Sequence, residues 1–135
     1  MEEKAIRVLV ANRPRLMREL VLATFADQPD IELVGEVVED SQIPTTVEHT
    51  LPDLLVVALD DPSRRPTICD ALLRRHPQMR IIAVAPDANL SVYYWTTFDV
   101  LGSRIDIHAS SFEASEESIL ETVRRGTKQE EGTKQ

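Results

Sequence analysis

The residues of this chain that could act on another molecule are few, and they sit where apolar runs end. Leu54 to Leu59 is apolar with valines in its middle, and it breaks into Asp60, Asp61 and Pro62, as a buried strand does where it meets a loop. Paired carboxylates in such a place suit a hard divalent cation or an aspartyl nucleophile. The residue the run carries to its tip, Ala58, has no reactive group at all. Another apolar run, Ile6 to Ala11, ends in Asn12 and Arg13. The Arg13 guanidinium has two open readings: it grips an anionic ligand bidentately, or it neutralises Asp60 or Asp61 and locks the domain in one conformation. The loop it occupies holds no glycine and so no phosphate cradle.

The remaining chemistry-bearing side chains are scattered. His49, His76 and His108 have no ligand spacing, so no metal centre is expected. Ser110 and Ser111 stand in no recognisable motif with a histidine and an acid, and a loop or cap role fits them better than nucleophilic catalysis. No enzyme and no cofactor are expected. The formal charge of −8 argues against direct contact with nucleic acid or an anionic membrane, both of which need a clustered positive field. A single cysteine, Cys69, allows no internal disulfide, and the N-terminus has no basic flank leading into a long apolar run. A cytoplasmic protein is the expectation.

The elements that must position these residues alternate between strand and helix. Strands are expected at Ile6 to Ala11, Ile31 to Val38, Leu54 to Leu59, Arg80 to Ala85 and Arg104 to His108. Between them lie helical periods, with Leu16, Leu20 and Thr24 beside Met17, Val21 and Phe25 in the first. The second, around Ile43 to His49, should be short or irregular because of Pro44 and three β-branched residues. The third lies between Pro66 and Pro77, and the last runs from a Ser115 N-cap to Gly126. The stretch NLSVYYWTTFDVLG, Asn89 to Gly102, reads as the fourth helix, with Leu90, Tyr94, Thr97 or Phe98, and Leu101 on its core face. Five strands and five helices in alternation imply an α/β fold: a doubly wound, five-stranded parallel sheet with helices on both faces. Residues 1–126 form the domain, and 127–135, which repeat GTKQ around two glutamates and carry no apolar side chain, form a flexible polar tail or linker stub.

Taken together, IRVLVANRPRLMREL, QPDIELVGEV, LPDLLVVALDDP and RIIAVAP resemble, in order and spacing, the receiver domain of two-component response regulators. DIELVGE is particularly like receivers that precede a helix-turn-helix output domain. The resemblance implies a flavodoxin-like fold and an aspartate phosphorylated at the tip of the third strand. It also implies two acids holding magnesium after the first strand, a hydroxyl after the fourth and a lysine after the fifth. Position by position this sequence departs from that chemistry. The nucleophile position is Ala58, the acid pair is Asn12 and Arg13, the hydroxyl position is Ala85, and no lysine occurs between Arg80 and Thr127. Asp60 falls where the family lends a backbone carbonyl to the metal. The resemblance therefore implies a degenerate, pseudo-receiver domain with no phosphorylation.

What remains is interaction. Tyr93 and Trp95, off the core face of the helix read at Asn89 to Gly102, are candidates for a partner surface, because tyrosine and tryptophan dominate interface hot spots. Asp106 and Arg124 are candidates for its charge complementarity. The resemblance implies that the face built from the fourth helix, the last strand and the last helix is a common dimer and partner surface, with the first and last helices as another. The leading expectation is a phosphorylation-independent dimerisation or protein-interaction module in signalling or transcription, and a DNA-binding output domain missing from this chain would fit it. The alternative is a sensor that holds a small anion in the vacated pocket through Arg13.

Overall fold

The structure, a computed structural model, describes residues 5–132, with side chains described over 5–85 and 87–125. In chain order it comprises β1 (Ile6–Ala11), α1 (Arg15–Ala26), β2 (Ile31–Glu36), α2 (Ile43–Thr50), β3 (Leu54–Ala58), α3 (Thr67–Arg75), β4 (Arg80–Ala85), β5 (Leu90–Phe98), β6 (Ile105–Phe112) and α4 (Glu116–Gly132). Short 3-10 turns at Asp40–Gln42 and Pro86–Ala88 precede α2 and β5. The strands form one sheet in the order β2-β1-β3-β4-β5-β6. Its first four strands are parallel and follow the 2-1-3-4 order of flavodoxin-like sheets, whereas β5 runs antiparallel to both neighbours. The fold is thus α/β, as the alternation implies, with a mixed sheet of six strands in place of a parallel one of five.

Two apolar layers sandwich the sheet, because side chains along a strand alternate between its faces. Leu9, Leu55, Val57, Ile81 and Ala83 meet Ile43 and Val47 of α2 and Cys69, Leu72 and Leu73 of α3. Val8, Val10, Leu54, Val56, Ile82 and Val84 meet Val21 and Phe25 of α1 and Ile119 and Val123 of α4. Burial on both faces explains why β1, β3 and β4 read as continuous apolar runs. In α1 the buried row is Val21, Thr24 and Phe25; Leu16 and Leu20 face outward, 68% and 52% exposed. The Cys69 thiol, desolvated inside α3, has its pKa pushed up to about 12.

The expected fourth helix is the largest correction. Asn89 to Gly102 holds β5 and the turn that follows it. The cause is visible in SVYYWTTF, whose β-branched and aromatic side chains suit a pleated surface, and whose period is two: Val92 and Tyr94 enter one core layer, Tyr93 and Trp95 the other. The four- and three-residue spacing of Leu90, Tyr94, Phe98 and Leu101 mimicked a helical stripe, yet Phe98 and Leu101 are exposed. Asn89, at φ 52°, takes the left-handed conformation that asparagine tolerates and reverses the chain so that Leu90 pairs with Ala85.

The other boundaries follow local rules. α2 is short and starts at Ile43 with Pro44 in its first turn. Ser115 caps α4, its Oγ accepting from the Ser118 N–H at 3.1 Å, and Glu116 and Glu117 occupy the first turn. The helix runs through Gly126, where an end was expected, to Gly132, since the Lys, Gln and Glu that follow are good helix formers and one interior glycine costs only about 1 kcal/mol. The polar tail expected from 127 is helical that far; residues 133–135, like 1–4, lie outside the described residues.

Phe25 is fully buried between α1, the sheet and α4. Phe25→Ala is expected to lower the unfolding free energy by about 3–5 kcal/mol in urea titrations followed by circular dichroism.

Candidate functional site

In a sheet of this order the chain moves from β1 outward to β2 and then returns to the other side of β1, so the loops after β1 and β3 diverge and leave a crevice. Asn12, Arg13, Ala58, Asp60 and Ala85 all lie at that end, and all but Asn12 line one cavity of about 500 Å³. Asn12 anchors the crevice floor. It is fully buried, and its Nδ2 donates to the Val57 carbonyl at 3.0 Å, tying the end of β1 to β3. The Asn12 carbonyl accepts in turn from Nη1 of the largely buried Arg18 at 3.4 Å, while Arg18 Nε pairs with Glu36 at 3.0 Å.

Arg13 is engaged by carboxylates of its own chain. Its Nε donates to Asp40 Oδ1 at 2.9 Å and its Nη2 to Asp60 Oδ2 at 3.0 Å, so one guanidinium joins the loop after β2 to the loop after β3. These two hydrogen bonds, Asp60's the larger effect, hold its pKa above the ordinary value. Asp61 takes no part: its carboxylate accepts from the Ser63 N–H at 3.0 Å and Oγ at 2.8 Å, which depresses its pKa and closes a local turn. Arg13, Ala58 and Asp60 also line a second cavity of about 260 Å³ on the Asp40 side, so the Arg13–Asp60 pair stands across the crevice like a crossbar. No cluster of three metal-ligating side chains occurs among the described residues.

Two features of the crevice were not foreseen. One is Asp40, whose approach depends on the 3-10 turn before α2, which nothing in the local pattern announces. The other is the apolar wall: Leu16, Met17 and Leu20 of α1 line the larger cavity with Pro14 and Pro62. Leu16 and Leu20 were read only as part of the helical period of α1, and a period alone does not say which of two adjacent rows faces the core. Facing this wall, the charged groups of the crevice are Arg13 against Asp40, Asp60 and Asp87, an excess of acid.

The four residues expected to form a partner surface do not converge. Tyr93 is 5% exposed and belongs to the core, so it is no surface anchor. Trp95 is half-buried and stacks on Tyr93 with ring centroids 5.1 Å apart and on His108 at 5.3 Å. Asp106 lies on β6 with Arg104 at 3.5 Å. Arg124 turns to the far edge of the sheet, donating to both oxygens of Asp30 at 2.7 and 2.9 Å and to Gln28 Oε1 at 2.7 Å. It ties α4 to the turn between α1 and β2, so the guanidinium expected to lend charge to a partner surface is engaged in an internal bridge.

No known protein family matches the chain, and no curated protein matches it at a significant level. No helix among the described residues is long and apolar enough to cross a membrane.

Two expectations test these bridges. Because both carboxylates facing Arg13 are well exposed, Arg13→Ala should lower stability by only about 1 kcal/mol or less, read as the shift in urea midpoint. Asp30 is different in sign of interest: the Arg124 hydrogen bonds hold its carboxyl below the ordinary 3.8. A depressed folded pKa contributes stability that is complete above the unfolded value and disappears as pH falls through the folded one. Asp30→Asn should therefore flatten part of the acid limb of the stability curve below about pH 5 while lowering the midpoint at neutral pH.

Proposed function

We propose that this domain is a degenerate receiver that works without phosphorylation, as a module for dimerisation or for binding another signalling protein. The observation that carries the reading is the double bridge from Arg13 to Asp40 and Asp60. Where a phosphorylatable receiver needs acids around a metal ion, this chain places a permanent cation of its own. A second cation is disfavoured there by charge repulsion, and the third strand presents Ala58, which has no oxygen to phosphorylate. The 2-1-3-4 order of the first four strands and the spacing of the sequence segments are compatible with the receiver resemblance. The antiparallel β5, where that resemblance implies a helix, is a departure from it.

The anion-sensor reading has the larger cavity in its favour. Against it stand the two carboxylates that already neutralise Arg13 and the surplus of acid around it. An anion would have to compete with Asp40 and Asp60 for one guanidinium, so the interaction module is the better account. A DNA-binding output domain on a longer chain would be compatible with it, and the cytoplasm is the compartment in which such a module works.

Incubation with acetyl phosphate and magnesium, followed by intact-mass measurement, is expected to show no phosphoryl adduct. Ala58→Asp alone should remain inert too, because Arg13 stays beside the new carboxylate. A stoichiometric adduct on Asp60 or Asp61 of the unaltered chain would sink the proposal.

A further inference from the structure

The sheet ends at β6, and that edge is unusually open. Its eight residues pair with β5 from Ile105 opposite Phe98 to Phe112 opposite Ser91 without a break in register. Edge strands are ordinarily blunted by proline, lysine or a bulge, and β6 has none of these. The opposite edge, β2, has a register shift against β1 and carries Glu32 and Glu36.

The ladder tells which backbone groups of β6 are free. The Asp99 N–H donates to the Arg104 carbonyl at 3.0 Å. Antiparallel pairs alternate, so the N–H and C=O of Asp106, His108, Ser110 and Phe112 also turn toward β5. Those of Ile105, Ile107, Ala109 and Ser111 then point outward, where no further strand lies among the described residues. A row of outward amides and carbonyls is specific for one kind of occupant, another extended strand.

We propose that this occupant is β6 of a second copy, paired antiparallel about a two-fold axis at Ile107, so that two six-stranded sheets become one. This deepens the interaction-module reading and rests on it. Self-pairing in one register is favoured by side-chain complementarity, a carboxylate set against an imidazole and apolar groups against apolar ones. With the axis at Ile107, Asp106 of each copy stands opposite His108 of the other, twice, at the narrow positions where side chains come closest. An axis at Asp106 would oppose two aspartates; one at His108 would leave Asp106 facing Ser110. The same register sets Ile105 opposite Ala109. On that face Phe98, 54% exposed beside Ile105, then begins an apolar row that continues through Ile105 into Ala109 and Tyr94 of the second copy. A two-fold axis makes each favourable pair occur twice.

Sedimentation of the full chain from micromolar to millimolar concentration is expected to show a reversible dimer. Ile107→Pro deletes an outward N–H in each copy and leaves the β5 ladder intact, so it should weaken the dimer about tenfold or more. Circular dichroism checks that the variant folds. Independently of that variant, the double change Asp106→Cys with His108→Cys should yield a disulfide-linked dimer on mild oxidation, since a narrow antiparallel pair lies within disulfide reach. The native Cys69 is buried and contributes no cross-link. A monomer throughout, a dimer untouched by folded Ile107→Pro, or a failure to cross-link would overturn the proposal. A phosphoryl adduct would instead overturn the module reading and leave the dimer standing, so the two failures are distinguishable.

Discussion

Everything in this fold hangs on the burial of β1, β3 and β4 on both faces. Each buried apolar residue of these strands belongs to one layer or the other, and a slip of one position would send an entire layer to the wrong side. The strand tips are therefore fixed: Ala58 and Ala85 arrive beside each other because Ala58 pairs with Val84 and Val57 with Ala83. The crevice is the place where this double burial stops, and its contents are decided by the few side chains that follow the last buried residue.

At that boundary the polar network works by substitution of charge type. Asn12, uncharged and fully buried, binds backbone, and Arg13, at the rim, binds carboxylates from two loops. Each exposed ion pair is worth little alone. Their value is geometric, since one planar guanidinium with two fixed partners defines how far apart the loops after β2 and β3 stand. The apolar wall of Leu16, Met17 and Leu20 beside it is then held at a set distance from an acidic rim.

The sequence was most readable where one physical signal acted alone. Fully buried strands gave continuous apolar runs, and Ser115 with Glu116 and Glu117 announced the start of α4 by capping chemistry. The residues at the strand tips, Asn12, Arg13, Ala58 and Ala85, could also be seen, because they depend only on what each apolar run carries at its end. Reading failed where two periods coincided. In SVYYWTTF the helical and strand spacings share every fourth residue, and β-branched and aromatic composition was the better guide. Arg124 was misplaced for another reason: its partner Asp30 lies 94 positions away in the chain, and no local pattern encodes such a contact.

The identity of β5 as a strand has a consequence for the topology as a whole. A crossover helix and an antiparallel strand perform the same service of carrying the chain from the carboxyl end of one strand back to the amino end of the next. Exchanging one for the other preserves parity, so β6 still runs with β4, and α4 still descends beside α1. The price is paid in layers: the sheet widens by one strand spacing, about 4.8 Å, and one face has one helix fewer to cover it. Phe98, on the side of the sheet that α2 and α3 cover and left 54% exposed, marks the width that the missing helix would have roofed.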